Sequence, residues 1–100
     1  MEVNLEGIKI LNDITDRLEA NGGIGLLVDY GHQGTKGDTF RSFKNHKIHD
    51  PLLNPGEADL TADVDFSHII KLFSGKTFLS GPIAQKTFLE RVGIQQRMQV

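Results

Sequence analysis

The sequence predicts an α/β fold in which a helix leads into a strand of a parallel sheet. Apolar residues recur every three or four positions over residues 8–18, which is the spacing of an amphipathic helix. Asn21, Gly22 and Gly23 then end the helix, because these residues tolerate positive φ angles. The run 24–28 is apolar apart from one glycine. Such a short run predicts a strand that is buried on both faces, as in a parallel sheet.

Asp29 ends this apolar run and is the first candidate for a functional residue. Open parallel sheets bind ligands at the carboxyl ends of their strands, which is where Asp29 would lie. In an antiparallel sandwich, the alternative fold, the same carboxylate would only form a turn. The glycine-spaced loop 31–37 follows, but it matches neither the dinucleotide fingerprint nor the phosphate-binding loop. We therefore expect a flexible loop there rather than a phosphate cradle.

The middle of the chain predicts short, turn-rich structure. Residues 38–48 alternate unevenly between polar and apolar, which favours a strand or an irregular segment over a helix. Two prolines and a Pro-Gly pair require the backbone to turn within residues 50–56. A second helix is predicted from Phe66, with Asp65 or Ser67 as its N-cap and Gly75 near its end.

The last quarter of the chain predicts one strand and one helix. Residues 76–79 form a short apolar-containing segment typical of a strand, and the helix runs from Pro82 through Val92. Pro82 is expected in the first turn of that helix, where its missing N–H costs little, and Gly93 closes it. The chain shows no internal repeat and no linker, which predicts a single domain or part of one.

Size and charge exclude several functional classes. The 100 residues include no cysteine, so disulfides and thiolate chemistry are absent, and the net charge of -2 argues against nucleic acid as the main partner. The first residues carry acids and lack both a basic segment and a long apolar run. We therefore expect no secretory signal, no transit peptide within these residues and no membrane insertion.

Histidines and acids are the other candidates for a site. His46 and His49, with His32 nearby, have spacing that a metal could use, but the segment lacks the glutamate of a metalloprotease helix. Structural hydrogen bonds are the expected role, and a metal-dependent hydrolase stays a minor alternative. The acids in 59–66 do not form a calcium loop, because its glycine and terminal glutamate are missing. They predict either helix caps and turns, which we favour, or an acidic rim that attracts a cation.

Five segments follow one another in an order that is specific to a family. They carry Gly22-Gly23-x-x-Leu26-Leu27-x-Asp29-Tyr30-Gly31-His32, Asp38-Thr39-Phe40-Arg41, His46-x-x-x-Asp50-Pro51-Leu52, Pro55-Gly56-x-x-Asp59-Leu60-Thr61-Ala62-Asp63-Val64-Asp65-Phe66 and Gly81-Pro82-x-x-Gln85-x-x-Phe88-Leu89. Together they closely resemble the MidA-like family, which comprises assembly factors for mitochondrial respiratory complex I. The likeness runs without a break from about residue 8 to residue 97, and its longest motif spans residues 59–66.

The resemblance implies a class I methyltransferase with a Rossmann-like sheet and flanking helices. It implies S-adenosyl-L-methionine as the methyl donor and symmetric dimethylation of an arginine as the reaction. The partner would be a subunit of complex I, and the place of action would be the mitochondrial matrix. Nucleic acid is not among the expected partners, and the oligomeric state is open.

The chain also departs from the family pattern. Family members bind S-adenosyl-L-methionine through a glycine-rich turn after the first strand and an acid after the second, and this sequence has no counterpart of either. We therefore expect residues 1–100 to be the C-terminal portion of one methyltransferase domain, without its cofactor-binding half and inactive alone. A non-catalytic interaction module or a truncated product is the alternative.

The resemblance points to substrate orientation as the role of the candidate residues. Carboxylates hold the planar guanidinium of arginine in a fork of hydrogen bonds, and a neighbouring base or acid orients the reacting nitrogen. The candidates are Asp29, His32, Asp59, Asp63 and Asp65. No residue of this chain is predicted to bind the cofactor or a metal.

Overall fold

The structure is a computed structural model that describes residues 2–34 and 36–99, and it has a mixed α/β fold. In chain order its elements are α1 (Leu5–Asn21), β1 (Gly31–His32), β2 (Arg41–Lys44), β3 (Lys47–His49), β4 (Asp59–Thr61), β5 (Val64–Asp65), α2 (Phe66–Phe73), α3 (Gln85–Arg91) and α4 (Ile94–Arg97). The strands form a two-stranded sheet of β1 and β5 and a three-stranded sheet in the order β3, β2, β4.

The first helix, α1, confirms the prediction from the apolar spacing. Asn4 caps it, because the Asn4 side chain accepts a 2.8 Å hydrogen bond from the amide of Gly7. The helix ends at Asn21, and Gly22 follows with a φ of 70°, so the glycine stop is also confirmed. At 17 residues α1 is the longest helix in the described ranges, none of whose helices has the length and apolar character needed to span a bilayer.

The predicted buried strand at 24–28 is wrong. These residues form no ladder, and the apolar side chains are open to solvent: Ile24 is 97% exposed and Val28 66%. We call residues 24–30 the apolar ribbon. Strand pairing needs a neighbour, and residues 24–28 have none among the described strands. Only at the end of the ribbon does a strand come close, where the carbonyl of Tyr30 accepts a 3.1 Å hydrogen bond from the amide of Val64 in β5.

Parallel pairing begins immediately after the apolar ribbon, in residues predicted as loop. Gly31 pairs with Val64 and His32 with Asp65, and both strands run in the same direction. A Cβ atom at Gly31 would lie only 2.1 Å from the carbonyl oxygen of Val64. Glycine is therefore required for the two strands to come this close.

The three-stranded sheet is antiparallel and lies around β2. A turn at Asn45 and His46, both with positive φ (52° and 60°), joins β2 to β3 in a hairpin. Ser42 in β2 is fully buried and donates a 2.7 Å hydrogen bond to the carbonyl of His49. The third strand, β4, was not predicted, because the acids around it were interpreted as caps and turns.

The C-terminal elements agree only in part with the sequence. Asp65 is the N-cap of α2, so one of the two predicted cap residues is confirmed. The helix ends at Phe73, shortly before Gly75. The strand predicted at 76–79 is wrong, since these residues form no ladder. The last helix starts at Gln85 rather than near Pro82, and Gly93 separates α3 from the short α4, which was not predicted.

The core is thin for a chain of this length. Phe73 is the only buried apolar residue among the described residues. The accessible surface is 8436 Å², whereas a compact protein of this mass exposes about 5,700 Å². The radius of gyration is 17.0 Å, against about 13 Å for a compact domain of 100 residues. The described residues thus leave much apolar surface uncovered.

Candidate functional site

Asp63 lies at the centre of a polar cluster between the two sheets. It occupies the connection from β4 to β5, and its side chain is only 10% exposed. Arg41 at the start of β2 donates a 2.6 Å hydrogen bond from Nη2 to Oδ1 of Asp63. Nε2 of His32, at the end of β1, lies 3.8 Å from the other oxygen, Oδ2. We call Asp63, Arg41 and His32 the Asp63 cluster.

The backbone of Asp63 is held by a chain of hydrogen bonds that reaches the N-terminal arm. Its amide donates to Oγ1 of the buried Thr39 over 2.9 Å. Thr39 in turn donates from its hydroxyl to one oxygen of Glu2 (2.6 Å) and from its amide to the other (3.0 Å). The hydroxyl and amide bonds from Thr39 lower the pKa of Glu2, so this carboxylate stays ionised in mild acid.

His32 is buried without a hydrogen-bond partner. Its side chain is 8% exposed, and both ring nitrogens are enclosed and unpaired among the described residues. The 3.8 Å separation from Asp63 permits a charge interaction when the ring is protonated but is too long for a hydrogen bond. A buried, unpaired polar group costs about 1–3 kcal/mol. This cost identifies His32 as the unsatisfied part of the cluster.

Asp65 is next to this cluster, and its hydrogen bonds are structural. Its Oδ1 accepts the amides of Ser67, in the first turn of α2, and of Gly34, both over 3.0 Å. Burial raises the pKa of this carboxyl, but amide hydrogen bonds from Gly34, Ser67 and His68 outweigh it, so the pKa lies below its ordinary value. Asp65 therefore fixes the end of β5, the start of α2 and the loop after β1.

We expect Asp65→Asn to destabilise the intact protein at neutral pH. Because the folded-state pKa is depressed, the stabilisation is fully present above the ordinary value of 3.8 and is lost as the pH falls through the folded value. Urea unfolding of wild type and variant should therefore differ at neutral pH and converge in strong acid. Asp13→Asn, an exposed acid on α1, is the matched control and should change nothing. A difference that persists unchanged into strong acid would contradict this role.

The structure places Asp29 and Asp59 outside the Asp63 cluster. Asp29 is exposed on the apolar ribbon, and its Oδ1 accepts the amide of the next residue, Tyr30, over 2.7 Å. Asp59 is exposed on β4, opposite Phe43, and lines an open hollow of about 430 Å³ with Phe43, Asn45 and His46. No hydrogen bond or ion pair within the described residues joins either acid to the cluster.

Arg41 and Thr39 are site residues that the sequence does not predict. Both belong to the segment Asp38-Thr39-Phe40-Arg41, which carries part of the family resemblance but matches no motif of a catalytic or binding site. Residues two apart on an extended chain point to the same side, so a threonine and an arginine at this spacing signal one polar face. This spacing would have identified Thr39 and Arg41 as site residues only if Asp63, which both of them contact, had already been known.

The histidines expected to have structural roles do not assemble a metal centre. Nε2 of His49 lies 3.2 Å from the carbonyl oxygen of Leu53, which fits a structural hydrogen bond, and His46 is exposed in the hairpin turn. Within residues 2–34 and 36–99, no group of three histidine or acidic side chains is arranged to hold a metal ion.

Comparison with known proteins gives a consistent result. Residues 1–82 match the family described as "Putative S-adenosyl-L-methionine-dependent methyltransferase". The chain is 52% identical over 100 residues to the protein arginine methyltransferase NDUFAF7, mitochondrial, of Danio rerio, covering all of this chain and 24% of that protein.

Two further relatives carry corresponding names. The Homo sapiens protein of the same name is 52% identical over 91 residues, which cover 91% of this chain and 21% of that protein. The Drosophila melanogaster homologue is 47% identical over 102 residues, covering 99% of this chain and 23% of the homologue. The chain therefore spans about a quarter of the length of the curated relatives it matches, and the family assignment made from its motifs is confirmed.

Proposed function

Because the chain belongs to the family of S-adenosyl-L-methionine-dependent methyltransferases, we propose that it contributes the substrate side of a protein arginine methyltransferase. The observation that carries this proposal is the 52% identity to the Danio rerio protein of that name over the whole chain. The structure supports it with a buried carboxylate, Asp63, that already accepts a hydrogen bond from a guanidinium. Recognition of a guanidinium is what an arginine-modifying enzyme requires.

We propose a Rossmann-like class I sheet as the setting, with residues 1–100 as part of one methyltransferase domain. The parallel pairing of β1 with β5 supports this, because purely parallel pairing is characteristic of sheets covered by helices. The order β5 then α2 fits a strand followed by its covering helix.

We propose that the site for S-adenosyl-L-methionine lies outside the described residues. Within the described ranges, β5 is the only strand that leads directly into a helix, which is α2. The junction between them, from Val64 to Ser67, contains no glycine. Side chains there would obstruct the close backbone approach that a nucleotide-like ligand needs. We therefore assign donor binding to no residue of this chain and derive no chemical step from the donor.

The substrate-side roles proposed for the acids follow from their exposure. Asp29 and Asp59 are open to solvent and are free to attract a cationic segment of a protein substrate. Asp63 is buried and suited to a single guanidinium, with His32 beside it. Asp65 would act through position, because its hydrogen bonds join the loop after β1 to the start of α2 at the ends of the strands where His32 pairs with Asp65.

The finer proposal is symmetric dimethylation of an arginine on a respiratory complex I subunit, in mitochondria. Its support is the motif resemblance together with the names of the relatives, which are mitochondrial protein arginine methyltransferases. The intact protein, as the cell makes it, should transfer label from methyl-labelled S-adenosyl-L-methionine to a complex I subunit. Mass spectrometry of the labelled arginine should then show one methyl group on each terminal nitrogen.

We expect Asp29→Ala to lower methyl transfer by the intact protein about tenfold or more, a cost of about 1.4 kcal/mol in the transition state. The reason is the loss of an exposed carboxylate that we place at the substrate rim. Steady-state methylation of the labelled subunit measures it, with Asp13→Asn, on the exposed face of α1, as the control. Unchanged turnover in Asp29→Ala removes this residue from the proposed site, and label on lysine instead of arginine removes the proposed reaction.

An interaction module without chemistry is the second candidate. The observation in its favour is the absence of a donor site among the described residues. Calorimetry with S-adenosyl-L-methionine separates the two, since an enzyme that uses this donor binds it and a module does not. Saturable heat from the intact protein supports the enzyme; no heat, with retained binding to complex I subunits, supports the module.

A further inference from the structure

The guanidinium of Arg41 uses only part of the binding capacity of Asp63. Arg41 donates to Oδ1 alone, whereas guanidinium and carboxylate groups pair best through two parallel hydrogen bonds. No hydrogen bond from the described residues reaches Oδ2, and the unpaired Nε2 of His32 faces that oxygen at 3.8 Å. The cluster therefore offers one carboxylate oxygen and one imidazole that its own arginine does not satisfy.

We propose that Asp63 and His32 form the binding site for the target arginine, and that Arg41 is an internal competitor for this site. This inference rests on the proposed function. An incoming guanidinium has five N–H donors in a planar fork. Two of them can pair with Oδ1 and Oδ2 of Asp63, and a third can donate to Nε2 of His32, which removes the cost of leaving that nitrogen unpaired.

Arg41 is the group in the cluster that can leave. Its side chain is 38% exposed, compared with 10% for Asp63 and 8% for His32. Its backbone is held in β2, opposite Thr61, so its guanidinium can turn into solvent without movement of the sheet. The backbone of Asp63 is fixed at the same time, because its amide donates to Oγ1 of Thr39. Displacement of Arg41 is thus the way in which the enclosed site opens.

The charges left behind favour a cation. Asp63 has an acidic neighbour in Glu2, because the charge of Asp63 acts to raise the pKa of Glu2. When Arg41 turns away, the carboxylates have lost the arginine that neutralised Asp63. A second guanidinium restores that charge balance, whereas a neutral ligand of the same shape does not.

Calorimetry on the intact protein tests the competition, with Nα-acetyl-L-arginine amide as the probe and the neutral Nα-acetyl-L-citrulline amide as its control. Arg41→Met removes the competitor while keeping an apolar stem of similar length, so the Kd of the arginine probe should fall about tenfold. Asp63→Asn should raise the Kd at least tenfold. Arg91→Met, an exposed arginine at the end of α3, is the matched control and should leave the Kd unchanged.

The same variants give a kinetic readout. In Arg41→Met the KM for the protein substrate should fall, while kcat stays within about twofold of the wild-type value. The reason is that Arg41 competes for binding and takes no part in the reaction. Arg41→Lys keeps a cation but loses the fork, so it should give an intermediate Kd. If Arg41→Met shows no thermal unfolding transition and is therefore not folded, the Kd of Arg41→Lys decides whether Arg41 competes for the site.

The outcomes separate this inference from the proposed function. Any one of three results overturns the inference, even if the intact protein methylates arginine. The Kd of the arginine probe is unchanged or higher in both Arg41 variants, the citrulline probe binds as tightly as the arginine probe, or Asp63→Asn binds the arginine probe with the wild-type Kd. The expected order of Kd values together with an absence of any methyl transfer would instead retain the guanidinium site and overturn the proposed function.

Discussion

The 100-residue chain on its own is expected to unfold without a cooperative transition and to bind a hydrophobic dye while still folded. Its surface exceeds that of a compact protein of equal mass by about 2,700 Å². Only Phe73 among the described apolar residues is buried. Folding stability is a small surplus of burial over lost chain entropy, and this chain buries too little apolar surface to provide it.

The apolar ribbon should also make the isolated chain associate. It presents apolar side chains on both faces, and over residues 24–28 its backbone pairs with no described strand, which together favour pairing with another extended chain. Circular dichroism during heating, dye fluorescence and gel filtration measure the three effects. The double variant Ile24→Lys, Val28→Lys should reduce association without restoring a cooperative transition. A monomer with a sharp thermal transition and no dye binding would contradict this expectation.

Gly31→Ala is expected to destabilise the intact protein by about 3 kcal/mol, at the upper end for overpacking a tight contact. The added Cβ would lie 2.1 Å from the Val64 carbonyl oxygen and 3.0 Å from the ring of Phe66. The carbonyl belongs to the backbone of β5 and cannot rotate away as a side chain would. The parallel pair must therefore separate, which also moves His32 relative to Asp63. Urea unfolding measures the loss of stability, and the arginine probe measures the loss of binding.

Gly75→Ala is the matched control for Gly31→Ala. Gly75 lies just after α2, and a Cβ atom built there meets no atom within 4 Å. The substitution should leave stability within about 0.5 kcal/mol of wild type, as expected for a surface position. Equal unfolding midpoints for both alanine variants would show that the close approach of β1 and β5 is not required.

The parts of the fold that the sequence predicted well are those determined by neighbouring residues. Helix α1 follows from its own apolar spacing and ends at Gly22, and the Asp65 cap of α2 is read from residues within one turn. Both depend on local hydrogen bonds and on side chains three or four positions apart. Helix α1 and the Asp65 cap could be predicted because neither needs a partner that is distant in the sequence.

The errors concern elements that depend on partners elsewhere. An apolar run such as 24–28 specifies burial, but a strand also needs a neighbour to pair with, and the described residues supply none. In contrast, β4 pairs with β2 although its side chains are all exposed, so periodicity gave no signal for it. The segment 76–79 has apolar residues but likewise lacks a partner strand.

The candidate site was predictable as a set of residues but not as an arrangement. His32 and Asp63 were both named from sequence, and the pairing of β1 with β5 brings them near each other. Arg41 was missed because its role depends on a contact across 22 positions of sequence. Spacing along the chain does not reveal which acid an arginine reaches when the arginine lies in a strand and the acid in a distant connection.

The two sheets differ in how far apart their paired residues are along the chain, and this difference sets an order of assembly. The hairpin of β2 and β3 closes through the left-handed turn at Asn45 and His46, and such hairpins form within about 1–10 μs. The pairing of Gly31 with Val64 closes a far longer loop and carries a larger entropic barrier. The hairpin is therefore complete first, and a newly made chain acquires the contact between His32 and Asp63 in a later kinetic phase.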